Sequence, residues 1–173
     1  KRRETWEETV DRYMNFFCNE ACPDKIPEAV ALEVREAILK CEVMPSMRAL
    51  MTAGKALARD HMCGYNCSYT QIDHPAKFSE ILYVLMCGTG VGFSCERQFI
   101  KKLPEVRPFT EVEIPCVAVR DSKTGWAEAF RRLIEYLYSG VVPTYDLSAL
   151  RPSGARLITM GGRSSGPAPL KKL

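Results

Sequence analysis

The sequence predicts an α/β fold in which strands pair in parallel. Short runs of β-forming residues alternate with amphipathic segments of about 10 to 15 residues, the pattern of strands joined by crossover helices. Glycines stand where one kind of segment gives way to the other, at Gly64, at Gly88 and Gly90, and at Gly161 and Gly162. With 173 residues the chain is long enough for a domain with a real core. It shows no internal repeat and no low-complexity stretch.

Each element has its own signal. Thr5-x-x-Glu8 forms a capping box, and Trp6, Val10, Tyr13, Met14 and Phe17 then fall at helical spacing. A second helix is predicted from Pro27 to Lys40, with proline near its start, Glu28 in its first turn and Val30, Val34 and Ile38 on one face. Pro45 stops that pattern. After the turn at Gly64, the run from Tyr65 to Ile72 is rich in β-formers and predicts a strand. Pro75 to Met86 predicts a helix with Phe78, Ile81, Leu82 and Leu85 as its apolar stripe. Gly88-Thr89-Gly90 breaks it and leads into a strand over Val91 to Cys95. Residues 101–115 contain three prolines and mixed charges, which predicts a long connection. Val117 to Val119 is a short strand, and Ser122-Lys123-Thr124-Gly125 introduces a strong helix with Trp126, Phe130, Leu133, Ile134 and Leu137 facing one way. Val142 to Leu147 and Ala155 to Met160 are two further strands, the second followed by Gly161-Gly162.

Composition removes several function classes. A hydrophobic share of 46% beside a charged share of 26% is that of an ordinary soluble globular chain. No run approaches the roughly 18 apolar residues of a membrane span, and no basic-then-apolar leader opens the chain, so a cytoplasmic location without a membrane partner is expected. The net charge is only +3 and the basic residues are dispersed apart from Lys1-Arg2-Arg3 and Lys171-Lys172, which argues against nucleic acid as a partner. The start at Lys1 and the end just after a glycine-rich stretch lead us to expect truncation at both ends. Eight cysteines without a signal peptide disfavour a disulfide framework and make small buried hydrophobes of most of them.

Three motifs carry candidate chemistry. In Met86-Cys87-Gly88-Thr89-Gly90-Val91-Gly92-Phe93-Ser94, glycines at alternate positions close a helix and open a strand. Such a segment serves either as a helix cap with a tight turn or as a place where a ligand approaches the backbone closely. It is neither a dinucleotide fingerprint, which opens a helix, nor a phosphate loop, which ends in Gly-Lys-Ser/Thr. The second motif is Cys63-Gly64-Tyr65-Asn66-Cys67 between His61 and His74. His61, Cys63, Cys67 and His74 have the residue types of a metal site but poor spacing, so isolated core thiols and a single redox thiol stand beside that reading and no metal is assigned. The third, Arg151-Pro152-Ser153-Gly154-Ala155-Arg156 running into Gly161-Gly162-Arg163-Ser164-Ser165-Gly166-Pro167, suits anionic oxygens or is a surface loop. With two histidines in the chain, no Ser-His-Asp set or carboxylate pair is compelling for hydrolysis.

Taken in order, these segments resemble the large chain of ribonucleotide reductases, especially the adenosylcobalamin-dependent, monomer-type branch. The residues that carry the resemblance are Glu4-Thr5-Trp6-Glu7-Glu8-Thr9-Val10, Met44-Pro45-Ser46-Met47-Arg48, Tyr65-Asn66-Cys67-Ser68-Tyr69 and Gly88-Thr89-Gly90-Val91-Gly92-Phe93-Ser94, followed by Gly125-Trp126 and the Arg151 to Pro167 segment. Each match is short; six in the right order span essentially the whole chain.

The resemblance implies a ten-stranded α/β barrel of two parallel halves preceded by helices. This chain would supply an N-terminal helical region over 1–43 and the first part of the barrel over 44–173. It implies ribonucleotide reduction by thiyl-radical chemistry, with Cys67 as one member of the cysteine pair that reduces the substrate; a small Cys/His metal-binding module and a catalytically inactive nucleotide-binding fragment are the alternative readings of the chain. The other member, the radical-bearing cysteine, and the Asn and Glu beside it belong to later segments of the family pattern. Met44, Pro45, Ser46, Asn66, Cys67, Gly88, Thr89 and Gly90 match positions that line the ribonucleotide. Adenosylcobalamin as cofactor, a nucleotide effector and a thioredoxin-type reductant are implied in the same way, with the cofactor contacts outside this chain. Two departures stand out. Cys63, Cys87 and Cys95 add thiols that the family mechanism does not need, and the connection from Glu96 to Gly125 is short beside the insertion of the best-known monomer-type enzyme, which bears on allostery and not on the chemistry.

Overall fold

The computed structural model describes residues 2–23, 25–110, 114–157 and 161–172, and the chain divides after Asn66 into two compact units. In the first unit, helix α1 spans Trp6–Asn15. Its capping box forms: Thr5 Oγ1 accepts from the Glu8 amide at 3.2 Å and Glu8 Oε2 accepts from the Thr5 amide at 2.9 Å. The Arg2 guanidinium, and after it the Thr5 amide, hold the Glu8 carboxyl below its ordinary pKa. The chain then widens into a π-type turn over Phe16–Ala21. Helix α2 follows over Glu28–Leu39, α3 over Met47–Thr52, α4 over Lys55–Arg59 and a 3₁₀ turn over His61–Gly64.

Two arginines join these helices. Arg35 on α2 donates to Asp11 on α1 at 2.7 Å. Arg12 on α1 donates to the Leu50 and Ala53 carbonyls at 2.9 and 2.6 Å, at the end of α3 where carbonyls lack intrahelical partners. Charge-assisted bonds of that kind contribute about 1.5–3 kcal/mol each, more than an exposed ion pair does. Arg12 also binds Glu4 and keeps its carboxyl below the ordinary value. Beneath them Phe16, Ala53, Leu57 and Cys63 form a buried cluster, with Tyr13, Phe17 and Ala56 packed against it.

The second unit is α/β with parallel pairing. Strand β1 (Cys67–Gln71) and strand β2 (Gly90–Ser94) pair in parallel, joined by helix α5 (Ala76–Met86). After a short helix α6 (Arg97–Ile100), strand β3 (Cys116–Ala118) pairs in parallel with β4 (Thr144–Asp146), and helix α7 (Lys123–Tyr138) connects them. Each pair is a two-stranded sheet among the described residues. The described residues are of the mixed α/β class with parallel pairing, and their four strands do not by themselves show the ten-stranded barrel whose opening part was expected here.

Local chemistry explains the boundaries. Ser122 caps α7 by accepting from the Gly125 amide at 2.9 Å. Gly125 must lack a side chain, because a Cβ there would lie 2.3 Å from the Arg120 carbonyl oxygen. At the far end of α7, the Arg107 amide donates to the Tyr138 carbonyl at 2.9 Å and the Thr110 amide to the Gly140 carbonyl at 3.0 Å, which anchors the proline-rich connection. Val117, Val119, Ala129 and Leu170 make the buried cluster of this unit. Among the described residues no helix is long and apolar enough to cross a membrane.

Several expectations need correction. The face of α2 is buried only at Ile38, while Val30 and Val34 stay 46% and 39% exposed. The predicted stripe of α5 flanks its buried position, and that of α7 coincides with the buried row only at Leu133. Ser79 is the buried residue of α5, and Gly125, Ala129 and Leu133 form the buried row of α7, where the small Gly125 and Ala129 let the backbones approach. Leu85 and Leu137, placed on those stripes from their spacing, are exposed. Of the strand expected over Ala155 to Met160, residues 158–160 lie outside the described residues, and Arg156 makes an isolated antiparallel bridge with Arg163.

Cys41 caps α2 at φ +60°, in the left-handed region, with its amide bonded to the Ile38 carbonyl at 3.0 Å and the Glu42 amide to the Ala37 carbonyl at 2.9 Å. A side chain is strained there, and glycine is not. Cys41→Gly is expected to stabilise the first unit by about 1 kcal/mol, read as a higher urea midpoint at unchanged slope, whereas Cys41→Ala brings no such gain. A lower midpoint for the glycine variant would contradict this cap geometry.

Candidate functional site

The parallel register sets Cys67, the first residue of β1, against Gly90, the first residue of β2. Paired residues in a parallel ladder share a face, and every second residue returns to it. Cys67, Tyr69 and Gln71 therefore lie on one face with Gly90, Gly92 and Ser94. The Tyr69 ring confirms the arrangement, since a Cβ built on Gly92 would sit 3.7 Å from Tyr69 Cδ2. Cys67, Tyr69, Gly90 and Gly92 are all exposed. The thiol thus stands at the start of a strand beside a position that has no side chain, with an aromatic ring two residues along.

The turn that delivers Gly90 is a helix cap. The Gly88 amide donates to the Leu85 carbonyl at 2.9 Å and the Thr89 amide to the Val84 carbonyl at 3.3 Å. This paired closure needs the left-handed conformation that Gly88 adopts at φ +84°. Thr89 is buried and both neighbouring glycines are exposed. The two uses of the glycine spacing are compatible: Gly88 ends α5, and Gly90 leaves the space beside Cys67 open.

Other candidates fall elsewhere. Met44 is exposed, Pro45 is half-buried, and Ser46 is the exposed residue before α3, its carbonyl accepting from the Leu50 amide at 3.0 Å. Asn66 is exposed and is the last residue of the first unit. Cys67 and the Gly88 to Gly90 turn are brought together; Met44, Pro45, Ser46 and Asn66 belong to the other unit. Cys63 packs in the aromatic core of the first unit, and His74 Nδ1 accepts from the Ala76 amide at 3.1 Å. Among the described residues no three His, Cys, Asp or Glu are grouped as metal ligands.

The arginine- and glycine-rich segment is internally bonded. Arg151 Nε donates to Asp121 at 2.8 Å, and Arg163 donates to the Gly154 carbonyl at 3.0 Å. Arg156, Gly162 and Arg163 line a cavity of about 280 Å³. Nearby, the Ser148 amide holds the Asp146 carboxyl below its ordinary pKa, and burial raises the Tyr145 phenol.

Sequence reasoning missed one contact of the site altogether. Lys123 Nζ donates to the buried Cys87 Sγ at 3.1 Å and lies 5.5 Å from the centre of the Tyr83 ring. No local pattern pairs residues so far apart. The place of Tyr69 over Gly92 was accessible in principle, from the alternation of the two strands once their register is known.

Comparison with known proteins gives a consistent result. The chain is 30% identical over 208 aligned positions to a protein of Mycobacterium phage D29 named as an adenosylcobalamin-dependent ribonucleoside-triphosphate reductase, an alignment that covers 99% of this chain and 29% of that protein. A reductase of the same name from Lacticaseibacillus paracasei is 27% identical over 98% of this chain and 32% of its own length, and one from Euglena gracilis is 28% identical over 79% and 20%. The chain therefore spans about a third or less of the length of these curated relatives. No family model and no solved structure matches it.

The exposure of the cysteines is directly testable. Alkylation of the folded chain, followed by peptide mass spectrometry, is expected to label Cys67 rapidly and to spare Cys63 and Cys87 until the chain unfolds. Labelling of Cys87 as fast as Cys67 would contradict the packing described for the α5 cap.

Proposed function

We propose that this chain, a homologue of a stretch of the adenosylcobalamin-dependent ribonucleoside-triphosphate reductases, supplies a reducing thiol and a substrate-facing turn to an enzyme that makes 2′-deoxyribonucleotides from ribonucleotides. The observation that carries the reading is the placement of Cys67, exposed at a strand start and paired with side-chain-free Gly90. A thiol that must meet a sugar needs such an opening, and glycines let the chain pass close to sugar and base. On this reading residues 44–173 open the first half of a ten-stranded barrel, and Met44, Pro45, Ser46, Asn66, Cys67, Gly88, Thr89 and Gly90 are the positions that the family resemblance assigns to the ribonucleotide.

In the reaction, a thiyl radical on another cysteine takes the 3′-hydrogen and the 2′-hydroxyl leaves as water. Two thiols then become one disulfide, giving up two electrons and two protons, and the 3′-hydrogen is returned. Cys67 is one of those two thiols, and an external dithiol of thioredoxin type restores it by exchange. Thiolate character and exposure govern how readily it reacts. Adenosylcobalamin, when bound, supplies the initiating radical. By the family resemblance the cofactor contacts lie outside this chain, so none of residues 1–173 is assigned to the cofactor. A nucleotide effector and a cytoplasmic setting complete the proposal.

In the complete protein that carries this chain, Cys67→Ser is expected to abolish multiple turnover and to leave radical formation intact. Serine keeps the shape and much of the polarity, and cannot form the disulfide. Cys18→Ser, in the π-type turn of the first unit, should cost only packing, about 1 kcal/mol. Product per enzyme over many cycles and the radical signal are measured separately. Normal steady-state turnover by the Cys67→Ser protein with an external dithiol would refute the assignment, and loss of both signals together would mean a structural role.

A further inference from the structure

We propose that Lys123 is a positioning residue for the Cys67 site: through Cys87 it holds the turn that presents Gly90 to Cys67, and so tunes how well a ribonucleotide fits there. The inference rests on the reading just given for Cys67 and adds a residue to which no role is otherwise attached.

Lys123 is the first residue of α7, directly after the Ser122 cap. A cation is unfavourable at that end of a helix, where unpaired amides carry partial positive charge. Its side chain is instead turned to the opposite kind of helix end. The ammonium donates to the sulfur of Cys87, the C-cap residue of α5, at 3.1 Å, and sits 5.5 Å from the centre of the Tyr83 ring one turn earlier. A cation at a helix C-terminus is favoured by the dipole, and over an aromatic face by the ring quadrupole. Three attractions thus converge on one ammonium at the end of α5.

The place held in this way matters. Cys87 is fully buried and its amide already bonds the Tyr83 and Val84 carbonyls. The next three residues are the turn Gly88, Thr89 and Gly90, whose last member is paired with Cys67. Helix ends fray, and this turn, with exposed glycines on either side of buried Thr89, is closed by the Gly88 and Thr89 amide bonds onto the last turn of α5 that Cys87 caps. The α5 and α7 helices pack on each other, so the lysine spans two elements already in contact and needs no long reach. Displacement of the turn by even a fraction of an ångström changes the gap beside the Cys67 thiol, where a reacting sugar must be held closely.

The test uses the complete protein with Lys123→Met and Lys123→Arg, the first keeping the bulk without the charge and the second restoring the charge. Steady-state kinetics with a ribonucleoside triphosphate should show KM raised about tenfold in the methionine variant with kcat changed less than about threefold, the signature of lost binding that is common to ground and transition states. The arginine variant should recover most of the affinity. In parallel, hydrogen exchange of the Gly88 and Thr89 amides should quicken in Lys123→Met while that of Gly125, at the start of α7, stays as in the parent. Unchanged KM together with unchanged exchange at Gly88 and Thr89 overturns the proposal. So does a general loss of protection across α5 and α7, which would make Lys123 a packing residue. If the unmutated protein turns over no ribonucleotide, the functional reading of Cys67 fails on its own, and the exchange data still decide whether Lys123 holds the turn.

Discussion

Two parallel strands can be joined only by carrying the chain back along the sheet, and over residues 67–94 that return is helix α5. The helix has to stop at the right residue for the second strand to enter in register. Its stop is set by Gly88, which takes a left-handed conformation and lets two amides close on the last turn. From there Thr89 turns inward and Gly90 begins β2 opposite Cys67. A shift of one residue would move every side chain of β2 to the other face and set a different side chain beside the thiol. The pairing of a reactive group with an empty position is therefore a consequence of where one helix ends.

The same logic runs through the rest of the second unit. Helix α7 begins at a serine cap and at a glycine that nothing larger can replace, with the Arg120 carbonyl where a Cβ would be. Its inner row is Gly125, Ala129 and Leu133, and the small residues near its start let that end approach its neighbours closely. That closeness is what allows a lysine at its first residue to reach the end of α5. In the first unit the organising group is Arg12, whose bonds to the Leu50 and Ala53 carbonyls close the end of α3 and whose contact with Glu4 ties them to the start of α1.

Much of this was legible before any coordinates. The capping box at Thr5 and Glu8, the helices beginning near Pro27, Pro75 and Ser122, and the strands around Cys67, Val91, Val117 and Tyr145 are local signals, and each element lies within a few residues of where its pattern put it. The segment 47–64 was not legible, because three helical pieces of four to six residues are too short to show a period and depend on packing for their stability. Burial was harder still. Val30, Leu85 and Leu137 fit amphipathic stripes and are exposed, while Ser79 and Ala129 are buried, since close approach of backbones selects for size as much as for hydrophobicity. At the candidate site, the nearness of Cys67 to Gly90 follows from register, which composition does not encode, and the Lys123–Cys87 contact joins residues with no local relationship.

The central claim is that Cys67 delivers reducing equivalents to a ribonucleotide. The most direct measurement is a single round of reduction by the complete protein with no external dithiol present, quenched with an alkylating reagent and resolved by peptide mass spectrometry. The account predicts that Cys67 appears in a disulfide with a cysteine outside residues 1–173, in about one copy per deoxynucleotide formed, because each reduction consumes two thiols. Deoxynucleotide formed in that amount with Cys67 recovered as an alkylated free thiol would contradict it.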